Sequence, residues 1–192
     1  MTEISNVKVY DLKECMLASG YPMKVNVDDG ESFESAIKRC RKLANTQMGS
    51  GHGNFLTGIR VSFDIKYPQY LTPQLQRYNF IDIVSSQSKM HRLKAIDIKS
   101  SCNKYTDSRS IDIAEEKKDA FNSDPSYVNF MKLISSLPMG FELTMRVSTN
   151  YMQLKTIYNQ RKNHKLKEDW GAIIDMIKKL PLSELITEGN KK

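Results

Sequence analysis

The chain has 192 residues, 40% of them apolar and 27% charged, the balance of a globular domain large enough for a real hydrophobic core. No apolar run approaches the length needed to cross a bilayer, and the opening "MTEISNVKVYDLKEC" lacks the continuous apolar segment of a secretory signal, so a cytoplasmic protein is expected. The net charge of +7 and pI near 9.2 favour an anionic partner, and leave open nucleic acid, small phosphorylated ligands or a merely solvated basic surface.

The elements follow in chain order. Glu31 to Met48 carries Phe33, Ala36, Ile37, Cys40, Leu43 and Ala44 at helical spacing, with Lys38, Arg39, Arg41 and Lys42 facing outward. The glycines of "MGSGHGN" end that helix. Ile59 to Tyr67 alternates strictly: Ile59, Val61, Phe63, Ile65 and Tyr67 share one face, and Arg60, Ser62, Asp64 and Lys66 the other, the pattern of a half-buried strand. A helix is expected after Pro68, from Leu71 to Asn79. Residues 96–124 are polar and read as a loop-rich excursion or lid with room for a short helix. Asp124 and Pro125 predict a helix start, with the helix running to Leu137. Phe141, Leu143, Met145 and Val147 alternate as a second long strand, and helices follow at Tyr151–Asn163 and Asp169–Leu180. The sum is an α+β fold in a single domain, an antiparallel sheet packed with helices.

Few chemistries have their residues in place. Cys15, Cys40 and Cys102 are odd in number and widely spaced, which suits neither a disulfide framework nor a metal site. His52, His91 and His164 match no zinc spacing, so no metal is expected. "GSGHG" lacks a phosphate-loop lysine and follows no strand, and no G-x-S-x-G elbow occurs.

One ordered set of motifs stands out. Gly51-His52, the alternating strand through Phe63, and Leu71-Thr72-Pro73-Gln74-Leu75-Gln76-Arg77 occur in succession. A later stretch, "LTMRVSTNYMQLKTIYNQRKNHKLKEDWGAI", offers Leu154, Ile157, Arg161, His164 and Trp170 on a strand and the helices after it. Together these resemble the flavin-dependent thymidylate synthases, whose members carry a Gly-His pair, a strand, L-T-x-Q-L-x-R-H-R and a Ser-x-Arg motif. The resemblance spans residues 30 to 180. It implies a homotetramer with pockets between subunits, in which FAD, NADPH and methylenetetrahydrofolate serve transfer of a one-carbon unit to dUMP. Residue by residue, it implies that His52, Arg77, Tyr78 and Asn79 face FAD. Gln74, Arg77, Ser88, Lys89 and Arg161 would line the nucleotide, with Ser88 and Arg161 at the reacting end.

The departures are as specific as the matches. The family's R-H-R reads Arg77-Tyr78-Asn79 here; Met90 stands two places after Ser88 where an arginine is usual, and Met152 opens the later helix in place of another. Charge-assisted bonds are worth ~1.5–3 kcal/mol each, so losing several cations should weaken anion binding by a few kcal/mol. Three readings remain: a divergent FAD-dependent enzyme acting on a pyrimidine deoxynucleotide, a relative that binds or sequesters a nucleotide without the reaction, and a nucleic-acid-binding protein.

Overall fold

The computed structural model describes residues 1–28, 30–47 and 49–188. In chain order it contains β1 (Glu3–Tyr10), α1 (Leu12–Ala18), α2 (Phe33–Ala44), α3 (Phe55–Gly58), β2 (Arg60–Pro68), α4 (Thr72–Leu75) and β3 (Asp82–Ser86). Then come α5 (Lys89–Arg92), α6 (Ser108–Ser123), α7 (Tyr127–Ser136), β4 (Glu142–Asn150), α8 (Tyr151–Arg161), α9 (Lys167–Lys178) and α10 (Glu184–Thr187).

The strands form one open four-stranded sheet of order β1-β2-β4-β3, antiparallel throughout. The alternation read from Ile59 to Tyr67 and from Phe141 to Val147 explains why β2 and β4 lie at its centre. Their register sets Phe63 opposite Val147 and Ile65 opposite Met145, all buried. Leu154 and Ile157 of α8 and Trp170 and Ile173 of α9 close over that face. The other face stays polar: Asp64 lies opposite Arg146 and accepts from its Nη1 at 3.1 Å, and Lys66 pairs with the buried carboxylate of Glu142 at 3.1 Å.

Three expectations change in detail. The helix begun at Glu31 is shorter: Ser32 caps Phe33–Ala44 by accepting from the Ser35 amide, and Met48, expected as its last residue, lies outside the described residues. The helix after α6 starts at Tyr127, not at Pro125. Ser126 is its cap, and the Asp124 carboxylate instead accepts from the Asn129 side chain at 3.0 Å. The polar excursion holds a sixteen-residue helix, α6, capped by Asp107 and packed on α7. Among the described residues, no helix is long and apolar enough to cross a membrane, and the three cysteines are free.

Candidate functional site

The segment after β2 places most of the expected site residues. Beyond Pro68 a 3₁₀ turn at Gln69–Leu71 leads into α4, with Pro73 early in its first turn, where its missing N–H costs nothing. The helix expected to reach Asn79 stops at Leu75, and single turns carry the chain on: the Tyr78 amide donates to the Leu75 carbonyl at 3.2 Å and the Ile81 amide to that of Tyr78 at 3.1 Å. Leu71, Leu75 and Tyr78 nevertheless all point inward, while Arg77 and Asn79 are exposed on either side of Tyr78.

Tyr78 meets the end of α8. Arg161, its last residue, donates Nε–H to the Tyr78 hydroxyl at 2.7 Å, and that hydroxyl donates to Gln160 Oε1 at 3.1 Å. The guanidinium carbon lies 4.7 Å from the Trp170 ring centroid and 5.6 Å from that of Tyr78, and the two rings meet edge to face at 6.0 Å. A cation over aromatic rings is held by their quadrupoles without its charge being neutralised. Trp170 in turn donates its indole N–H to Gln74 Oε1 at 3.0 Å. Gln74, Tyr78 and Arg161, expected at one site, are thus brought together.

Two residues of the later motif to which the sequence assigns no site role, Trp170 and His164, also belong to this cluster. Trp170 reads from sequence as packing, and it does pack at 1% exposure, yet it also carries the arginine. His164, in the turn after α8, stacks edge to face on Trp170 at 5.9 Å, and its Nδ1 accepts from the Leu166 amide at 3.1 Å. Its proton therefore sits on Nε2 in the neutral ring, and burial, with Arg161 and Lys165 nearby, holds its pKa below the usual value. The sequence signal for this corner is the basic turn "RKNHKLK" between two helices. Among the described residues no carboxylate pairs with Arg161, Lys162, Lys165, Lys167 or the neighbouring Arg77, whereas Arg39, Arg41, Arg60 and Arg146 all have acidic partners.

Beside the cluster a cleft of about 190 Å³ runs between Tyr78, Asn79 and Gln76 on one side and Tyr67, Ile83 and Met145 of the sheet on the other. That volume takes a pyrimidine ring but is well short of the ~300–1,000 Å³ of pockets for drug-sized ligands.

The remaining expected residues lie elsewhere. Ser88 caps α5, its Oγ accepting from the Met90 and His91 amides at 3.1 and 3.3 Å. Lys89 donates to Gln69 Oε1 at 2.7 Å, at the other end of the segment from Arg77. His52 is exposed in the loop between α2 and α3, and no described residue bonds to its ring. Gly49 and Gly51 give that loop its shape, with φ of +88° and +83° that side chains rarely adopt. Among the described residues, no hydrogen bond or ring contact joins His52 to the Arg161 cluster. Among the described residues, no group of three or more His, Cys, Asp or Glu is placed to hold a metal ion.

The fold matches solved structures over nearly its whole length. The flavin-dependent thymidylate synthase ThyX from Helicobacter pylori, solved with FAD and dUMP, superposes with a TM-score of 0.75 at 15% identity, covering 97% of each chain. The UMP/dUMP methylase PolB from Streptomyces cacaoi, bound to 5-Br dUMP, gives a TM-score of 0.67 at 13% identity over 93% of this chain and 88% of its own. No family model matches the sequence, and no curated protein does so. The resemblance read from the motifs is therefore borne out in three dimensions: the chain has the fold of the flavin-dependent thymidylate synthases.

Proposed function

We propose that this protein binds a pyrimidine deoxynucleotide such as dUMP, together with FAD, and acts on the pyrimidine ring as a divergent flavin-dependent thymidylate synthase. The observation that carries the reading is Arg161: a cation over the Trp170 ring, tethered through Nε alone and with no acidic partner among the described residues, in a fold whose solved examples include a dUMP complex. A guanidinium so placed has a fork of donors free for a phosphate. Arg77, Lys162 and Lys165 raise the local positive potential, which draws an anion in and holds it. The cleft beside Tyr78 is of a size for the base, with the amides of Gln76 and Asn79 at its mouth as donors and acceptors for an imide edge.

The residues present fit the anionic part of FAD in kind: Arg77 and Asn79 are exposed donors, and the glycine loop brings backbone close to whatever lies against His52. The cleft of one chain is too small for a dinucleotide, and this supports a homotetramer in which copies of the chain complete one another's pockets. FAD, when bound, would supply the redox chemistry, with NADPH as the source of electrons and methylenetetrahydrofolate of the carbon. The chain's own part is to fix the nucleotide phosphate with Arg161, to enclose the base, and to keep water from it with Tyr67, Ile83 and Met145.

A second reading has its own observation. Ser88 spends its lone pairs on two amides of α5, and Met90 is exposed beside it, so the serine end of the pocket is built as a helix cap. This favours a protein that holds the nucleotide without the transfer reaction.

The test is direct. Purified protein should retain or take up FAD, give a flavin absorbance band, bind dUMP by calorimetry, and scatter light as four copies of the chain. Turnover of dUMP with the folate and NADPH would separate the enzyme from the binder. A colourless protein that ignores added FAD and shows no heat with dUMP would dismiss both readings.

A further inference from the structure

The hydroxyl of Tyr78 has one proton and faces two partners, and the structure uses it without conflict. Gln160 Oε1 takes the proton at 3.1 Å, which turns a lone pair toward the Arg161 Nε–H at 2.7 Å. A guanidinium can meet an oxyanion with two parallel bonds along an edge that includes Nε or along the edge formed by Nη1 and Nη2. With Nε committed to Tyr78, only the second remains, and no described residue accepts from either terminal nitrogen. With Nε held by the Tyr78 hydroxyl and the guanidinium carbon 4.7 Å from the Trp170 ring centroid, Arg161 has its Nη1–Nη2 edge left to receive a ligand. Tyr78 stands where the R-H-R motif of the resembling family has its histidine, so a phenol hydroxyl at this point is particular to this sequence.

We propose that Tyr78, with Gln160 behind it, is a positioning residue that turns Arg161 so that Nη1 and Nη2 together grip the phosphate of the bound nucleotide. The inference rests on the nucleotide reading above and goes further by naming the device that aims the arginine at the phosphate. The Tyr78 hydroxyl acts on the phosphate through Arg161, while its ring lines the cleft for the base and is kept in a Tyr78→Phe variant.

The experiment compares dUMP with deoxyuridine, which lacks the phosphate, by calorimetry and by fluorescence of Trp170, the single tryptophan of the chain. Tyr78→Phe keeps the buried ring and removes only the hydroxyl; it should weaken dUMP by about tenfold and leave deoxyuridine unchanged, as loss of one aligned contact would. Gln160→Ala, on an exposed side chain that cannot threaten folding, should weaken dUMP in the same direction by about threefold. In an Arg161→Lys background, which keeps the charge and loses the fork, Tyr78→Phe should have no further effect, because neighbours acting as one unit are not additive. Equal losses for both ligands, or additive losses in the Lys background, would mean that Tyr78 only supports the fold. Wild-type affinity for dUMP in both Tyr78→Phe and Gln160→Ala would overturn the inference and leave the nucleotide reading standing. Failure of the wild type to bind either ligand would remove the two together.

Discussion

The indole nitrogen of Trp170 donates to Gln74 Oε1 at 3.0 Å, joining α9 to α4 across 96 residues of chain. Beside the Tyr78–Arg161 bond it is a second link that holds the segment 69–79 against the Arg161 cluster, since Trp170 also carries Arg161 over its ring and meets Tyr78 edge to face. Gln74→Ala leaves a buried indole N–H without a partner, which should lower stability by about 1–3 kcal/mol. Denaturant unfolding followed by Trp170 fluorescence measures this. A variant as stable as the wild type would mean that the N–H finds water and that α4 is held by its apolar side alone.

Lys155 offers a second test, on the far side of α8. Its ammonium is enclosed at 1% exposure and donates to the carbonyls of Ala44, Leu185 and Glu188, which tie the end of α2 to the C-terminal segment. Lys155→Met removes three bonds and strands carbonyls, and should cost about 3 kcal/mol. Burial lowers the folded pKa of this amine from 10.5, so between the folded value and 10.5 the unfolded chain binds more protons. In that window wild-type stability therefore gains with rising pH relative to Lys155→Met. Cys15, Cys40 and Cys102, whose thiols burial pushes up from 9.0, pull the opposite way in both proteins, so the difference between them isolates Lys155. Urea unfolding at several pH values from neutral to about 10 reads it; a difference that stays flat would show that Lys155 is not desolvated.

Ser88 can be divided between its two roles. Ser88→Ala loses the cap of α5 and should cost about 1 kcal/mol, whereas Ser88→Asp keeps a capping oxygen and the stability with it. If Ser88 also faces the nucleotide phosphate, the added charge of Ser88→Asp should weaken dUMP severalfold by repulsion while the melting curve stays put. Unchanged dUMP affinity would leave Ser88 as a cap only.

How far the sequence reveals this molecule depends on where each element sits. β2 and β4 are legible because each buries one full face, so apolar residues alternate without interruption. The edge strands are not. In β1 the positive φ of Asn6 and a register shift between Ser5 and Lys8 change the parity, so Ile4 and Val9 both turn inward though five residues apart. β3 is exposed along its whole length and has no buried face to betray it. α6 escapes for a related reason: Ala114 is its one enclosed residue. At the site, Leu71, Leu75 and Tyr78 keep the helical spacing that the sequence shows, although the helix itself unwinds after Leu75. The motif spacing brought out Gln74, Tyr78 and Arg161, but not the part of Trp170, because a buried tryptophan at helical spacing looks the same whether or not a cation lies on it.

His164 reports on the ligand from the edge of the cluster. In the folded protein it is neutral at physiological pH, with Nδ1 bonded to the Leu166 amide and its pKa lowered from 6.5 by burial, then by Arg161 and Lys165. The unfolded chain thus binds a proton more readily than the folded one between the folded value and 6.5, and this contribution to stability is lost as pH falls through that window. A phosphate on Arg161 cancels part of the positive charge beside the ring, so dUMP should raise the His164 pKa, while deoxyuridine should not. Proton NMR of the three histidines resolves this, with His52 and His91 as internal comparisons on exposed sites. By linkage the same coupling favours dUMP as His164 protonates, and a His164→Gln variant isolates it from the phosphate's own protonation, whose second pKa is about 6. A His164 resonance indifferent to saturating dUMP would place the phosphate away from Arg161, and with it the ligand from the corner where α8 meets α9.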